Sequence, residues 1–322
     1  MVLKIKITAI VMIHDQPVLA KQLIHTLLAE DIKVIVHLDG DSDPAVRDQL
    51  KNSFQGKIEF SPSFKCSWGT YSLVKATLEA LLSIRRLDWN PDYVLLLSGS
   101  DFPIKSHHAL CAFLENNHGR QFIQSKPISE KWVKGGLQEE RFQYYFPFNW
   151  RSQPLLFDWA FKAQSTLAHF IGTRRIPTDI DLHIGSQWWA LTWDACTAIL
   201  DLVAKRPEIE KYFKLTWIPD ESFFQTLIRC VVAEDEIICD TGLTYFEFDE
   251  KGRPLVFYDD HFDHLRRQPF FFARKISNHC QRLRENLHHV WQEKTTCSST
   301  PISPNDLVVT KHYQDFLQKT KV

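Results

Sequence analysis

The chain has 322 residues, enough to bury a large core in one big domain or two modest ones. Its 38 basic and 39 acidic side chains leave a formal charge of -1, so bulk charge excludes nucleic acid as the main partner and points to no anionic membrane. Seven cysteines, scattered from Cys66 to Cys297 without metal-ligand spacing, predict free thiols in a reducing compartment, and Met1–Thr8 runs straight into a strand pattern with no secretory or membrane-spanning segment.

Ile5–Ile13 reads as a first strand ending at His14-Asp15. A helix follows, with Asp15 as its cap, Pro17 in its first turn and Leu19, Leu23, Ile24, Leu27 and Leu28 as one apolar stripe. Val34–Asp39 is the second strand, so strand, helix and strand form a βαβ unit and predict a parallel sheet. A short strand is expected near 57–60, and Trp68-Gly69-Thr70-Tyr71-Ser72 leads into a helix over 73–86. Tyr93–Leu97 carries four consecutive apolar residues and reads as a strand buried on both faces. It stops at Ser98-Gly99-Ser100-Asp101, and Pro103 disfavours a helix there, which predicts Asp101 on a tight, outward loop. A helix near 108–115 and a strand at 121–123 follow.

Between 125 and 180 the periodicity fails. Trp132, Arg141, Tyr144, Tyr145, Phe146, Trp150, Trp159, Arg174 and Arg175 mix without pattern. The segment is too aromatic for a linker and reads as an insertion over the C-terminal edge of the sheet. Gly185–Thr192 reads as a strand, followed by a helix capped by Asp194, and Ile218-Pro219-Asp220-Glu221 opens another. Weak strands are expected at 236–239 and 244–248, a buried aromatic run over Pro269–Lys275, a helix over 278–292 and a loop over 295–305. The abundant aromatic side chains suit a large core or sugar-stacking clefts.

Parallel strands share one C-terminal edge, so His14, Asp39 and Asp101 are candidates to line a common crevice. Asp39-Gly40-Asp41 fits either turn chemistry or a hard-metal carboxylate pair. Asp220 as a helix cap would put Glu221 in the first helical turn, where the dipole favours the ionised carboxylate that a general base needs; a plain helix start accounts for the same residues. One of Arg274 and Lys275 could point inward to an anion while the other is solvated, and Arg253 is a further candidate cation.

Five motifs in order, Trp68-Gly69-x-x-Ser72-Leu73-Val74, Leu97-Ser-Gly-Ser-Asp101-Phe-Pro-Ile-Lys105, Gly185-Ser-Gln187-Trp188-Trp189-x-Leu-Thr192, Pro219-Asp220-Glu221-x-Phe-Phe and Phe272-Ala-Arg-Lys275, resemble the core-2/I-branching enzyme family of branching β-1,6-N-acetylglucosaminyltransferases and peptide O-xylosyltransferases. The resemblance runs from His14 to Lys275. It implies a glycosyltransferase A-type α/β fold, Rossmann-like and mostly parallel, in one catalytic domain over 1–276, with a C-terminal helix and tail over 277–322. It implies an inverting transfer of a sugar, N-acetylglucosamine as first expectation, from a UDP-sugar to a hydroxyl of a glycan or lipid-linked glycan. UDP-xylose or UDP-glucose transfer, or a non-catalytic carbohydrate-binding protein, are the alternatives. No metal or other cofactor is implied: Ser-Gly-Ser-Asp101 stands where a metal-binding Asp-x-Asp would be, and Arg253 and Lys275 take the place of a metal at the diphosphate. The resemblance makes Glu221 the base, places His14, Asp39 and Asp101 at the donor, and places Arg141, Gln187, Trp188 and Asp220 at the acceptor; Trp188 or Trp189 would stack on a sugar. With neither anchor nor disulfide framework expected, the enzyme is read as bacterial and cytoplasmic, resting against the inner membrane.

Overall fold

A computed structural model describes residues 5–130, 137, 139–147, 149, 153–238, 242–249 and 253–294. Trp132, Trp150, Cys239, Cys297 and the expected loop over 295–305 lie outside the described residues.

The main sheet is built from β1 (Ile7–Ile13), β2 (Lys33–Leu38), β3 (Ile58–Phe60) and β4 (Tyr93–Ser98), all parallel. After β5 (Phe102–Pro103) come β6 (Gln121–Phe122), β7 (Lys126–Pro127), β8 (His183–Ile184), β9 (Ala190–Thr192) and β10 (Ile237–Ile238). The sheet order is β10-β6-β9-β4-β1-β2-β3, with β9 antiparallel to both its neighbours. Two further strands, β11 (Thr244–Tyr245) and β12 (Phe272–Ala273), join β5 in a small second sheet, and β7 pairs with β8.

All seven residues of β1 are buried, and alternate ones serve opposite faces. Ala9, Val11 and Ile13 join a core with Leu19, Leu23 and Leu27 of the helix Pro17–Leu28 and Leu110 and Leu114 of the helix His107–Asn116. Ile10 and Met12 join a second core with Val74, Leu78 and Leu81 of the helix Ser72–Arg86 and Ile199 and Leu200 of the helix Trp193–Lys205. The result is an α/β fold with a mostly parallel sheet between two helical layers, as the sequence predicts. The helix Gln281–Trp291 puts Leu283, Leu287 and Trp291 into the first core.

Several local expectations are corrected. Asp15 does not cap the first helix; Gln16, at φ 52°, is the cap residue and makes no side-chain capping bond. Thr192, not Asp194, caps the helix Trp193–Lys205, accepting a bond from the Ala195 amide. The strand expected over Gly185–Thr192 shortens to Ala190–Thr192, because Gly185–Trp189 is used for contacts described below. Among helices longer than ten residues, two went unforeseen: Pro44–Phe54, capped by Asp43, and Pro154–Ile171, inside the supposedly irregular insertion.

Candidate active site

The register pairs Ile13 with Leu38 and Met12 with Ser98, so β1, β2 and β4 end together. The Asp39 amide bonds the Ile13 carbonyl at 2.8 Å, and the Gly99 amide bonds Met12 at 2.8 Å. His14 and Asp39 therefore stand on one edge, at the point where the strand order reverses around β1. His14 is exposed and pairs with Asp15 at 3.3 Å. The Asp39 carboxylate accepts the amides of Asp41 at 2.9 Å and Cys66 at 3.3 Å. Behind it, His37 is buried, which brings its imidazole down to about 4, and burial pushes the Cys66 thiol up to about 12. Both are neutral near pH 7 and lie 3.5 Å apart. Cys66, Cys196, Cys230 and Cys280 are free thiols.

Asp101 does not project outward as the sequence predicts. It is fully buried. Its carboxylate folds back to accept the Ser98 amide at 3.0 Å and the Ser98 hydroxyl, and it takes the Arg274 Nε at 3.2 Å. Burial pushes the carboxyl up, and Arg274 and Ser98 pull it down. Arg274 also lies 4.3 Å above the Trp188 ring. Trp188 is thus covered by a guanidinium, while Trp189 packs its ring 5.3 Å from Phe224; both are buried, which overturns the expectation that one of them offers a face to a sugar. Arg274 is the inward-pointing cation that the sequence left open between itself and Lys275. Lys275 is half-buried and lies on the ladder between Leu255 and Phe257, and the next residue, Ile276, bonds the Ser100 carbonyl at 2.9 Å. Arg253 is exposed, and its Nε meets Asp249 at 2.8 Å.

A second cluster forms at Glu221. Pro219–Glu221 is a 3₁₀ turn, and the α-helix begins only at Phe223, because Ser222 at φ -142° breaks the helical path. Asp220 is therefore not a helix cap, and Glu221 lies ahead of the first helical turn rather than within it. Ile218 enters this turn at φ 49°, a strained position for a β-branched residue, held by its amide bond to the Gly69 carbonyl at 3.0 Å. Gly69 is itself at φ 77°, and a Cβ there would meet the Trp217 ring at 3.0 Å. The Trp68-Gly69 motif thus fixes the approach to Glu221. On the other side, the Gly185 amide bonds the Glu221 carbonyl at 2.8 Å. A Cβ on Gly185 would fall 1.9 Å from the Gln124 carbonyl oxygen, so no other residue fits. Gly185→Ala is expected to cost at least about 1–3 kcal/mol in urea unfolding, and a variant as stable as the parent would contradict this packing.

The Glu221 carboxylate meets the buried Arg141 guanidinium at 3.2 Å through Oε2. Oε1 has no protein partner among the described residues. Burial pushes the Glu221 carboxyl up, and Arg141 works against that. Asp220 is pushed up to about 7, first by burial and then by the charge of Glu221, and its Oδ1 has no partner among the described residues. The folded state therefore holds a proton on Asp220 that the unfolded chain releases near pH 4. The stability linked to that proton is full below about pH 4 and is lost as pH rises towards about 7. Asp220→Asn carries no such titration. It is expected to gain stability over the parent at pH 8 by a few kcal/mol, the gain shrinking towards pH 4; a difference independent of pH would contradict it.

Gly185–Trp189 runs between the two clusters. Gly185 holds Glu221, the Trp188 amide bonds Ser186 Oγ at 3.3 Å, and the Trp188 ring supports Arg274. Gln187 between them is half-buried. Among the described residues, no three of His, Cys, Asp and Glu gather as a set of metal ligands.

The family model for the Core-2/I-Branching enzyme matches residues 11–268. A xylosyltransferase of Drosophila pseudoobscura pseudoobscura is 27% identical over 215 residues, which cover 65% of this chain and 22% of that protein. Xylosyltransferase 2 of Homo sapiens is 24% identical over 247 residues, covering 74% and 25%, and that of Rattus norvegicus is 22% identical over 300 residues, covering 85% and 32%. The chain thus spans about a fifth to a third of the length of these relatives. Among solved structures, a mannosyltransferase of S. cerevisiae in complex with GDP aligns over 71% of this chain and 68% of its own, with a TM-score of 0.35 and 11% identity, too slight a likeness to carry an argument.

Proposed function

This chain belongs to the Core-2/I-branching enzyme family, and on that premise we propose that it moves a sugar from a UDP-sugar to a hydroxyl group of a glycan acceptor, with inversion at the anomeric carbon and Glu221 as general base. The observation that carries the reading is the Arg141–Glu221 pair. Arg141 holds one carboxylate oxygen at 3.2 Å and leaves the other without a protein partner, in position to take a proton from an acceptor hydroxyl. The hydroxyl oxygen then forms the new bond to the anomeric carbon as the bond to the UDP oxygen breaks, and the diphosphate leaves with the electron pair. Lys275, with Arg253, supplies positive charge to the departing diphosphate without a metal ion. His14 and Asp39 line the nucleotide side of the edge. Asp101 serves from within, as the carboxylate that aims Arg274 across Trp188. Gln187 and Asp220 belong to the acceptor side.

Xylose is the better-supported sugar, ahead of N-acetylglucosamine, because the relatives that cover most of this chain are xylosyltransferases. Incubation with UDP-xylose and UDP-N-acetylglucosamine, with glycan acceptors and product analysis by NMR, tests the reading. Faster consumption of UDP-xylose and a product of inverted anomeric configuration are expected. Retention of configuration, or preference for UDP-N-acetylglucosamine, would contradict the mechanism or the donor respectively.

A further inference from the structure

The helix Pro154–Ile171 has 18 residues, yet Phe157 alone among them is buried. At 100° per residue its side chains sort into three faces. Phe157, Phe161 and Gln164 point towards the body of the protein. Phe157 packs 5.0 Å from Trp217 and 5.2 Å from Phe146, Phe161 meets Tyr144 at 5.5 Å, and the Gln164 amide bonds both backbone groups of Tyr145. Asp158, Lys162, Ser165 and His169 form a polar strip. The third face, an arc of about 120°, carries Leu155, Leu156, Trp159, Leu167 and Phe170. It is open to solvent: Leu155 is 85% exposed, Trp159 69%, Phe170 81% and the neighbouring Ile171 74%. With Ile176, half of the large exposed apolar side chains among the described residues fall within 155–176. Exposed apolar area concentrated this way marks a surface that something covers.

We propose that this face lies in the interface of a lipid bilayer carrying anionic headgroups. The face is a convex ridge on a single helix, a shape that enters a fluid interface without needing a complementary groove. An aromatic anchor, Trp159, sits on the ridge. The charge fits as well: residues 153–176 carry the cations Lys162, Arg174 and Arg175 against the one carboxylate, Asp158. Arg174 is spent on the fold, bonding the Tyr144 and Leu215 carbonyls, whereas Lys162 and Arg175 are exposed. Among the described residues no helix is long and apolar enough to cross a membrane, and this one, about 27 Å long, lies along the surface instead. The near-zero charge of the whole chain hides this local pattern. The ridge rests on Trp217, whose chain continues through Ile218 into Asp220 and Glu221. On the transfer reading, docking holds the Glu221 carboxylate close to the headgroups, where a lipid-borne acceptor is presented.

The full chain is mixed with large vesicles of phosphatidylcholine alone, or with about a third of the lipid replaced by phosphatidylglycerol, and sedimented without sugar nucleotide. Binding to the mixed vesicles is expected, weaker on phosphatidylcholine alone. The triple variant Leu155→Ser, Trp159→Ser, Phe170→Ser is expected to lose binding at least about tenfold with its unfolding midpoint unchanged, since all three side chains are exposed. Lys162→Glu with Arg175→Glu is expected to weaken binding to the mixed vesicles by about tenfold or more. The proposal is overturned if the parent sediments with neither vesicle, if the triple variant binds as the parent does, or if the parent is a dimer without lipid that the triple variant makes monomeric. Because the assay holds no nucleotide, its failure leaves the transfer reading standing, and loss of transfer activity leaves the membrane proposal standing.

Discussion

Glu221→Gln is expected to lower sugar transfer by about 10²–10⁴-fold while UDP binding stays at the parental value. Glutamine keeps an oxygen for the Arg141 bond and removes the capacity to take a proton. The parent should also show an acid limb in kcat/KM, since Glu221 must be ionised to act, and burial places that limb above the range of an ordinary glutamate. Arg141 opposes the upward shift, so Arg141→Gln should move the limb to higher pH. A Glu221→Gln enzyme that transfers sugar at the parental rate would remove Glu221 from the mechanism.

The second large effect is expected at Arg274. Truncation to alanine leaves the fully buried Asp101 with only its Ser98 donors and takes the cover from Trp188. Removing one member of a buried pair strands the other, at a cost of about 3–5 kcal/mol. Urea unfolding of Arg274→Ala should show a loss of that size. Adding Asp101→Asn should return part of it, since the stranded charge is then gone. A loss within about 0.5 kcal/mol would mean that the pair contributes little to the fold.

Much of the frame could be read from the sequence because its strands are buried on both faces: Ile7–Ile13 is apolar but for Thr8, and Val94–Leu97 is an unbroken apolar run. The helix Pro44–Phe54 escaped because it buries only Leu50 and Phe54, too few for a stripe, although Asp43-Pro44 is a sound helix start. The helix Pro154–Ile171 escaped for the opposite reason. Apolar residues on its inner and outer faces together blur the period, and only Pro154 and Gly172 mark its ends. At the site, strand ends were legible and partners were not. Nothing near Asp101 in sequence announces that Arg274, 173 residues later, neutralises it, nor that the same guanidinium covers Trp188. Glycine 185 stood in a motif, but its reason, the Gln124 carbonyl pressed against its Cα, needs the fold.

On the transfer reading, a UDP-sugar binds at the edge shared by β1, β2 and β4 and is held by protein cations. Thermal unfolding in EDTA, with and without saturating UDP-xylose, tests it most directly. Ligand at about 100 times its Kd stabilises the native state by about 2.7 kcal/mol, a rise of several degrees in Tm. That rise is expected, undiminished by EDTA and largely lost in Lys275→Ala. No rise with UDP-xylose or any other UDP-sugar, or a rise that EDTA abolishes, would contradict it.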